Sequence, residues 1–305
     1  MKYIIDCDPG IDDSIAISWA LSAGMDISAI CCVYGNASVD ECAQTADKIT
    51  EICNRPDIPV YIGSNKPLYK RPKRAASHGE SARGGLAVNQ RFIPKIIDSN
   101  TYKNIFKGGQ EITILAIGPV TNLAKYIAKD ASISRMVSRV VCMGGVFNDD
   151  GNVTEYAEFN TFNDPDALQI LLDSKIDTVL VPANVCRQIV FSISDITDLI
   201  ESREIIDAVA GYVSYYKDDS TYGGFNGAVL YDLIAILYEY KPALFTYRKV
   251  NVQVDTTSGA KRGRTLIVDG NPNVVLVDGI TASPSIIKIE LKNAAQQSLC
   301  KSMKK

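Results

Sequence analysis

The segment Asp6-Cys7-Asp8-Pro9-Gly10-Ile11-Asp12-Asp13 packs four carboxylates into eight residues. One or two acids at the start of a helix would complement its dipole or cap its first turn. Four would repel one another unless a cation or strong hydrogen-bond donors stood among them. Hard oxygen donors of this kind suit Ca²⁺ or Mg²⁺. The spacing is not that of an EF-hand loop, because glycine falls at the fifth position and no glutamate closes the segment. On spacing alone the dipole reading and the metal reading both stay open.

Other polar residues are less telling by themselves. Asn36, Asn152 and Asn160 lie beside glycine or in loops, where asparagine also serves turn geometry. His78 is the single histidine, set among Gly, Ser and Arg, and a lone loop histidine is more often a surface residue than a catalyst. Eight cysteines occur without a C-x-x-C pair. Cys7, Cys31, Cys32 and Cys142 fall inside apolar runs, which reads as buried small hydrophobes in a reducing cytosol.

These residues need elements to position them. Apolar runs at 3–5, 27–33, 60–62, 112–117, 137–143 and 178–181 read as strands. Helical patterns at 11–23, 39–53, 120–128 and 165–172 alternate with them. Strands that are apolar throughout, alternating with helices, predict a Rossmann-like α/β fold: an open, mainly parallel sheet flanked by helices. Helices are expected at 205–216 and 231–240. A small β-hairpin is expected from 250–254 and 265–268 around Gly259–Gly263. A C-terminal helix is expected with Ser283 as N-cap and Pro284 at its first position. With no internal repeat or Pro/Ser linker, residues 1–305 read as one domain. Three polar segments, 63–90, 144–164 and 217–230, are long for plain connectors. The first two follow strands, where open α/β sheets bind ligands.

Composition narrows the partners. The chain is 46% hydrophobic and 22% charged, with 32 Lys+Arg against 35 Asp+Glu. A net charge of −3 argues against a nucleic-acid binder, which needs a basic surface. No run of eighteen apolar residues is present, so no membrane span is expected. The opening MKYIIDCDPG breaks its apolar run at Asp6, which does not read as a signal peptide. A cytoplasmic location follows as the expectation.

Taken in order, the blocks resemble the inosine-uridine nucleoside hydrolase family. The acid segment is followed by Val33-Tyr-Gly-Asn36, His78-Gly-Glu-Ser81 and Ala116-Ile-Gly-Pro-Val-Thr-Asn122. Then come Met143-Gly-Gly145, Ala157-Glu-Phe-Asn160, Asp164-Pro-Asp-Ala167 and Tyr231-Asp232. The resemblance implies hydrolysis of the N-glycosidic bond of ribonucleosides by a calcium-activated water, with Ca²⁺ as cofactor. It makes Asp8, Asp13, Asp232 and the backbone carbonyl of Ile117 the metal ligands, with Asp8 also the base. Asp12, Asn36, Asn152, Glu158 and Asn160 would hold the ribose. Met143, Phe159, His78 and Tyr222 would line the substrate site. The resemblance also implies a homodimer or homotetramer and a place in nucleoside salvage.

One departure stands out. The family's usual histidine before the last aspartate, the acid to the leaving base, is Tyr231 here. A phenol has an ordinary pKa near 10, so the base side of the site differs while the ribose side is intact. Two alternatives compete. A HAD-type phosphohydrolase shares Asp6-x-Asp8 after a strand, but wants Thr or Val where Gly10 stands. A non-catalytic nucleoside or ribose binder would be a relative that lost its acid.

Overall fold

The computed structural model describes residues 1–69, 86, 95–96, 105, 111–130, 135–200, 202–218 and 227–302, by backbone alone at 96, 215–218 and 297–302. His78 and Tyr222 lie outside the described residues. Among those described, the strands are β1 (Lys2–Cys7), β2 (Ile27–Cys32), β3 (Val60–Ile62), β4 (Lys95–Ile96), β5 (Ile112–Ala116), β6 (Arg139–Met143), β7 (Thr178–Val181), β8 (Phe245–Val254), β9 (Thr265–Val268) and β10 (Val274–Ile280). They form a sheet in the order β4-β3-β2-β1-β5-β6-β7-β10-β8-β9.

Pairing is parallel from β4 through to β10, and antiparallel for β10–β8 and β8–β9. The chain lays β2, β3 and β4 on one side of β1, then returns to place β5 on the other. That reversal is a topological switch point, where loops at the carboxyl ends part and leave a crevice. In β1 the alternating side chains of Ile4 and Ile5 are both fully buried, as a strand covered on both faces requires.

One face carries α1 (Ile11–Ser22), α2 (Val39–Ile52), α8 (Arg203–Asp218), α9 (Tyr231–Tyr240) and α10 (Pro284–Ser302); the other carries α3 (Thr121–Lys129) and α5 (Pro165–Asp173). Short helices α4 (Phe159–Asn163), α6 (Ala183–Cys186) and α7 (Ile193–Thr197) sit in the connections. Helix α1 is buried from Ile11 to Leu21. Trp19 Nε1 donates to the Leu291 carbonyl at 2.9 Å, tying α1 to α10. Ser38 and Glu41 form a capping box that starts α2 immediately after Asn36 and Ala37. Asp164 caps α5 with Pro165 at its first position.

The expected hairpin is present, but it is no appendage. Val274–Ile280, unassigned from sequence, forms β10, which pairs in parallel with β7 and antiparallel with β8 and so joins the hairpin to the sheet. Its partner register, Val275 with Val179, is set by contacts far apart in sequence. Residues 159–163 of the expected 144–164 loop are helical. Cys7, Cys31, Cys32 and Cys142 are buried, as expected, and so are Cys42 and Cys186. No helix among the described residues is long and apolar enough to cross a membrane.

Candidate active site

The segments that follow β1, β2, β5 and β6 meet at the switch point. Asp8 stands just past β1. Its Oδ2 accepts from the Asn36 backbone N–H at 2.7 Å, and Asn36 Nδ2 donates to the Asp8 carbonyl at 3.0 Å and to Asp13 Oδ2 at 3.1 Å. The Gly10 N–H also donates to Asp13 Oδ2, at 3.0 Å. Asn36 therefore links the first strand's acid to the first helix's acid. Two glycines flank the Asp8 carboxylate. A Cβ on Gly35 would lie 2.0 Å from Oδ2, and one on Gly118 would lie 2.6 Å from Oδ1. The carboxylate is held in a slot that only bare backbone leaves open.

Asp12 has a role that sequence did not disclose. Helix α9 follows Leu230, which offers no side-chain cap. Asp12 supplies one from across the fold: its Oδ2 accepts from the Tyr231 N–H at 2.9 Å. That cap brings the first turn of α9 to the first turn of α1 and sets the Asp232 carboxyl within hydrogen-bond reach of Asp13. Asp8, Asp12, Asp13 and Asp232 are each 5% exposed or less. Burial, reinforced by mutual repulsion, pushes the Asp8, Asp12 and Asp232 carboxyls well above the usual range. Burial also raises Asp13, though hydrogen bonds from Gly10 and its own backbone limit the rise to about 6.

This donor set fits a hard cation. Asp12 Oδ1 and Asp13 Oδ1 are buried without a hydrogen-bond partner, a costly arrangement for carboxylates. None of the ion pairs among the described residues reaches any of the four acids. Among those residues no three His, Cys, Asp or Glu side chains already stand as a group that could hold a metal ion.

The remaining sequence-expected residues gather beside this cluster. Glu158 caps α4: Oε1 accepts from the Asn160 N–H at 2.8 Å, and Oε2 from the N–H groups of Thr161 at 3.0 Å and Gly145 at 3.1 Å. Burial raises its carboxyl and these donors pull against the rise. Asn160 Nδ2 donates to the Ile117 carbonyl at 2.9 Å and to that of Met143 at 3.2 Å. The carbonyl expected to ligate metal thus already accepts one hydrogen bond and keeps a second lone pair. Met143 is buried, while Phe159 and Asn152 are half-buried. Asn152 Oδ1 is a buried acceptor without a partner. Gly145, at φ +75°, makes the bend after β6. From β9, Thr265 Oγ1 accepts from the Val146 N–H at 3.1 Å and donates to its carbonyl at 2.8 Å. The distant hairpin therefore braces the loop that carries Asn152.

The model of the inosine-uridine preferring nucleoside hydrolase family matches residues 3–291. The chain belongs to that family. Uridine nucleosidase 1 of Arabidopsis thaliana is 34% identical over 285 residues, covering 88% of this chain and 82% of the relative. The pyrimidine-specific ribonucleoside hydrolase RihA of Salmonella paratyphi A is 33% identical over 297 residues, covering 91% and 94%. Among solved structures, a plant nucleoside hydrolase superposes with a TM-score of 0.87 at 28% identity over 96% of this chain and 98% of that one. A purine-preferring ribonucleoside hydrolase from Gardnerella vaginalis gives 0.86 at 25%, over 98% and 99%. The family's reaction is hydrolysis of the N-glycosidic bond of ribonucleosides, and this chain is a hydrolase of that class.

Three features of this nucleoside hydrolase went unread in the sequence. Asn122, inside the quoted Gly-Pro-Val-Thr-Asn block, donates to both Asp6 oxygens at 3.2–3.3 Å and to the Cys32 carbonyl at 3.2 Å, and accepts from the Ser64 N–H at 2.7 Å. It fastens β1, β2 and the segment after β3 behind Asp8. Its signal was an asparagine repeating the family block, with no visible partner. Gly35 and Gly118 were visible as glycines following strands, but not as walls of a carboxylate slot. Arg187, just past α6, gave no signal at all. Its Nη1 donates to Asp149 Oδ2 at 2.7 Å and to the Asp150 carbonyl at 2.6 Å, which ties the end of α6 to the loop carrying Asn152.

Proposed function

We propose that the protein cleaves ribonucleosides to ribose and free base with Asp8 as general base and Ca²⁺ held by Asp8, Asp13, Asp232 and the Ile117 carbonyl. The observation that carries this is the set of four buried, like-charged carboxylates meeting at the switch point, two of them with unpartnered oxygens. When bound, the cation supplies positive charge that lets the acids remain ionised together and acidifies a water beside them.

The chain's own residues supply the rest. Asp8, immobilised by Asn36 and the two glycines, takes the proton from the attacking water. The acid cluster stabilises the oxocarbenium-like ribosyl group, whose positive charge develops as the bond to the base lengthens. Asp12 Oδ1, Asn36, Asn152, Glu158 and Asn160 recognise the sugar hydroxyls. Buried polar groups that would lose their partners with a deoxyribose give strong discrimination against it. Tyr231 donates a hydrogen bond to the departing base. Uridine is the substrate placed first, since relatives named for uridine or pyrimidine ribonucleosides match at 33–34% identity. A cytoplasmic homo-oligomer acting in nucleoside salvage is the setting the family resemblance supports.

The test is reducing-sugar release from purine and pyrimidine ribonucleosides and their 2′-deoxy analogues, with calcium and with chelator. Calcium-dependent ribose release is expected. Phosphate release from p-nitrophenyl phosphate without any ribose release would instead establish the phosphohydrolase alternative.

A further inference from the structure

Asn152, Glu158 and Asn160, three of the residues assigned above to the sugar hydroxyls, stand on one segment, the chain that leaves β6 at Met143 and ends in α4. Polar groups on such a segment recognise a sugar well only if its backbone is held in place. Part of the hold is local. The Gly144 N–H donates to the Val181 carbonyl at 3.2 Å, the Ala183 N–H to the Gly145 carbonyl at 2.9 Å, and the Phe147 N–H to Asn184 Oδ1 at 3.0 Å. Val146, in the middle of this bend, is served from the hairpin instead. Thr265, the first residue of β9 and buried, takes both of its backbone groups with one hydroxyl, accepting from the N–H at 3.1 Å and donating to the carbonyl at 2.8 Å. Its methyl packs on Gly145 so closely that a Cβ there would lie 3.0 Å from Cγ2. The Gly145 N–H in turn donates to Glu158 Oε2 at 3.1 Å. One hydroxyl therefore fixes the residue beside a donor to the sugar-side carboxylate.

The same stretch of the hairpin meets the segment again further along. Gly263, at φ +85°, lies against α4, where a Cβ would stand 3.0 Å from Phe162 Cα and 3.1 Å from Ala157 Cβ. The Arg264 guanidinium and the Lys261 ammonium lie over the Tyr156 ring, 5.6 and 5.8 Å from its centroid. Arg262, also buried, pairs with Asp166 in the first turn of α5. Between these contacts the segment is folded on itself: the Gly151 N–H donates to the Glu155 carbonyl at 3.1 Å, and the Val153 N–H to the Ala157 carbonyl at 3.3 Å. Asn152 and Glu158 thus belong to one braced unit.

We propose that Thr265 is a positioning residue for ribose recognition: its hydroxyl clasps the 145–146 bend and so fixes where Glu158, and with it Asn152 and Asn160, stand for the sugar hydroxyls. The inference rests on the ribonucleoside hydrolase reading above. Valine at this position would keep the shape and the methyl packing but leave the buried Val146 N–H and carbonyl without their partner. Serine would lose the methyl and keep the clasp. The effect belongs to the sugar, which every riboside shares, and not to the base.

The experiment compares T265V and T265S with wild type, calcium present, by thermal-shift titration with D-ribose and by turnover of uridine, inosine and p-nitrophenyl β-D-riboside well below each melting midpoint. T265V should bind ribose about 10-fold more weakly, and its kcat/KM should fall about 10- to 100-fold, by the same factor on all three ribosides. T265S should stay within about threefold of wild type in both readouts, since the hydroxyl is retained. The E158Q T265V double variant should lose less than the product of the two single losses, because the two residues share one hydrogen-bonded path. Unchanged ribose binding in T265V, a loss confined to one base, an equal loss in T265S, or losses that multiply in the double variant would overturn the inference. Should T265V fail to fold, T265A leaves room for a water that satisfies Val146 without tethering it to β9, and the same outcomes decide. Wild type that binds ribose but hydrolyses no riboside would overturn the hydrolytic reading, with the binding titration still deciding this assignment. Wild type that does neither would overturn both.

Discussion

Gly35→Ala tests whether the Asp8 slot is as tight as the structure makes it. The added Cβ would stand 2.0 Å from Asp8 Oδ2 and 2.7 Å from Cγ. Ordinary contact begins near 3.4 Å, so the carboxylate must retreat by about 1.4 Å (3.4 − 2.0) or the 33–36 segment must lift off. Either movement breaks the 2.7 Å bond from the Asn36 N–H, which does not survive beyond about 3.5 Å. Overpacking of this kind costs about 1–3 kcal/mol, and a lost hydrogen bond to a buried charged group about 1.5–3 kcal/mol. Because one displacement causes both, the two do not add, and a loss of about 1.5–3 kcal/mol in unfolding free energy is expected. A base displaced by 1 Å costs about 100-fold in rate, so kcat/KM for uridine should fall by at least that. Urea denaturation and reducing-sugar release measure the two effects. Gly211→Ala is the control: it lies exposed in α8, and a Cβ added there would meet nothing within 4 Å. That change should stabilise the helix by about 0.5–1 kcal/mol with activity unchanged. Gly35→Ala with kcat/KM within twofold of wild type would refute both the slot and the placement of the base in it.

Four further outcomes are expected. Asp8→Asn keeps the shape and can still accept from Asn36, so turnover should vanish while the melting temperature moves by only a few degrees; near-normal turnover with calcium would remove Asp8 from the role of base. Tyr231→Phe should slow uridine and inosine by about 10²–10⁴, the usual worth of a positioned acid, and barely affect p-nitrophenyl riboside; an equal fall on both would point to damage at neighbouring Asp232. Exhaustive chelation should abolish ribose release and lower the melting temperature, with both restored by calcium; full activity after chelation would exclude the metal role. Asn122→Ala deletes four hydrogen bonds behind Asp8 and should cost about 3 kcal/mol, measured by chemical denaturation; a loss below about 1 kcal/mol would mean these bonds are replaced by water.

Those parts of the protein that depend on neighbours along the chain are legible in its residues alone. The apolar run of β1, the four acids that follow it and the first turn of α1 are one continuous segment, and their chemistry can be read before any fold is known. The strand-helix alternation is legible for the same reason from β1 to β3 and from β5 to β7, since burial on both faces leaves an apolar run that periodicity detects, whereas the two-residue β4 at Lys95–Ile96 was not expected. Whatever required two distant segments to meet came only with the folded chain. Val274–Ile280 is an apolar run that could be strand or core helix, and only its pairing with β7 and β8 makes it β10. Asp12 reads as a first-turn acid, yet its use is to cap α9, 219 residues away, which is what brings Asp232 to Asp13. Gly35 and Gly118 become walls only once Asp8 lies between them. Arg187 looks in sequence like any surface charge. Its meaning comes from a short helix that carries it to the 149–150 loop, where it holds the Asp149 carboxylate and the Asp150 carbonyl. A residue's type fixes which bonds it is able to make; the packing of the sheet fixes which partners are within about 3 Å to make them.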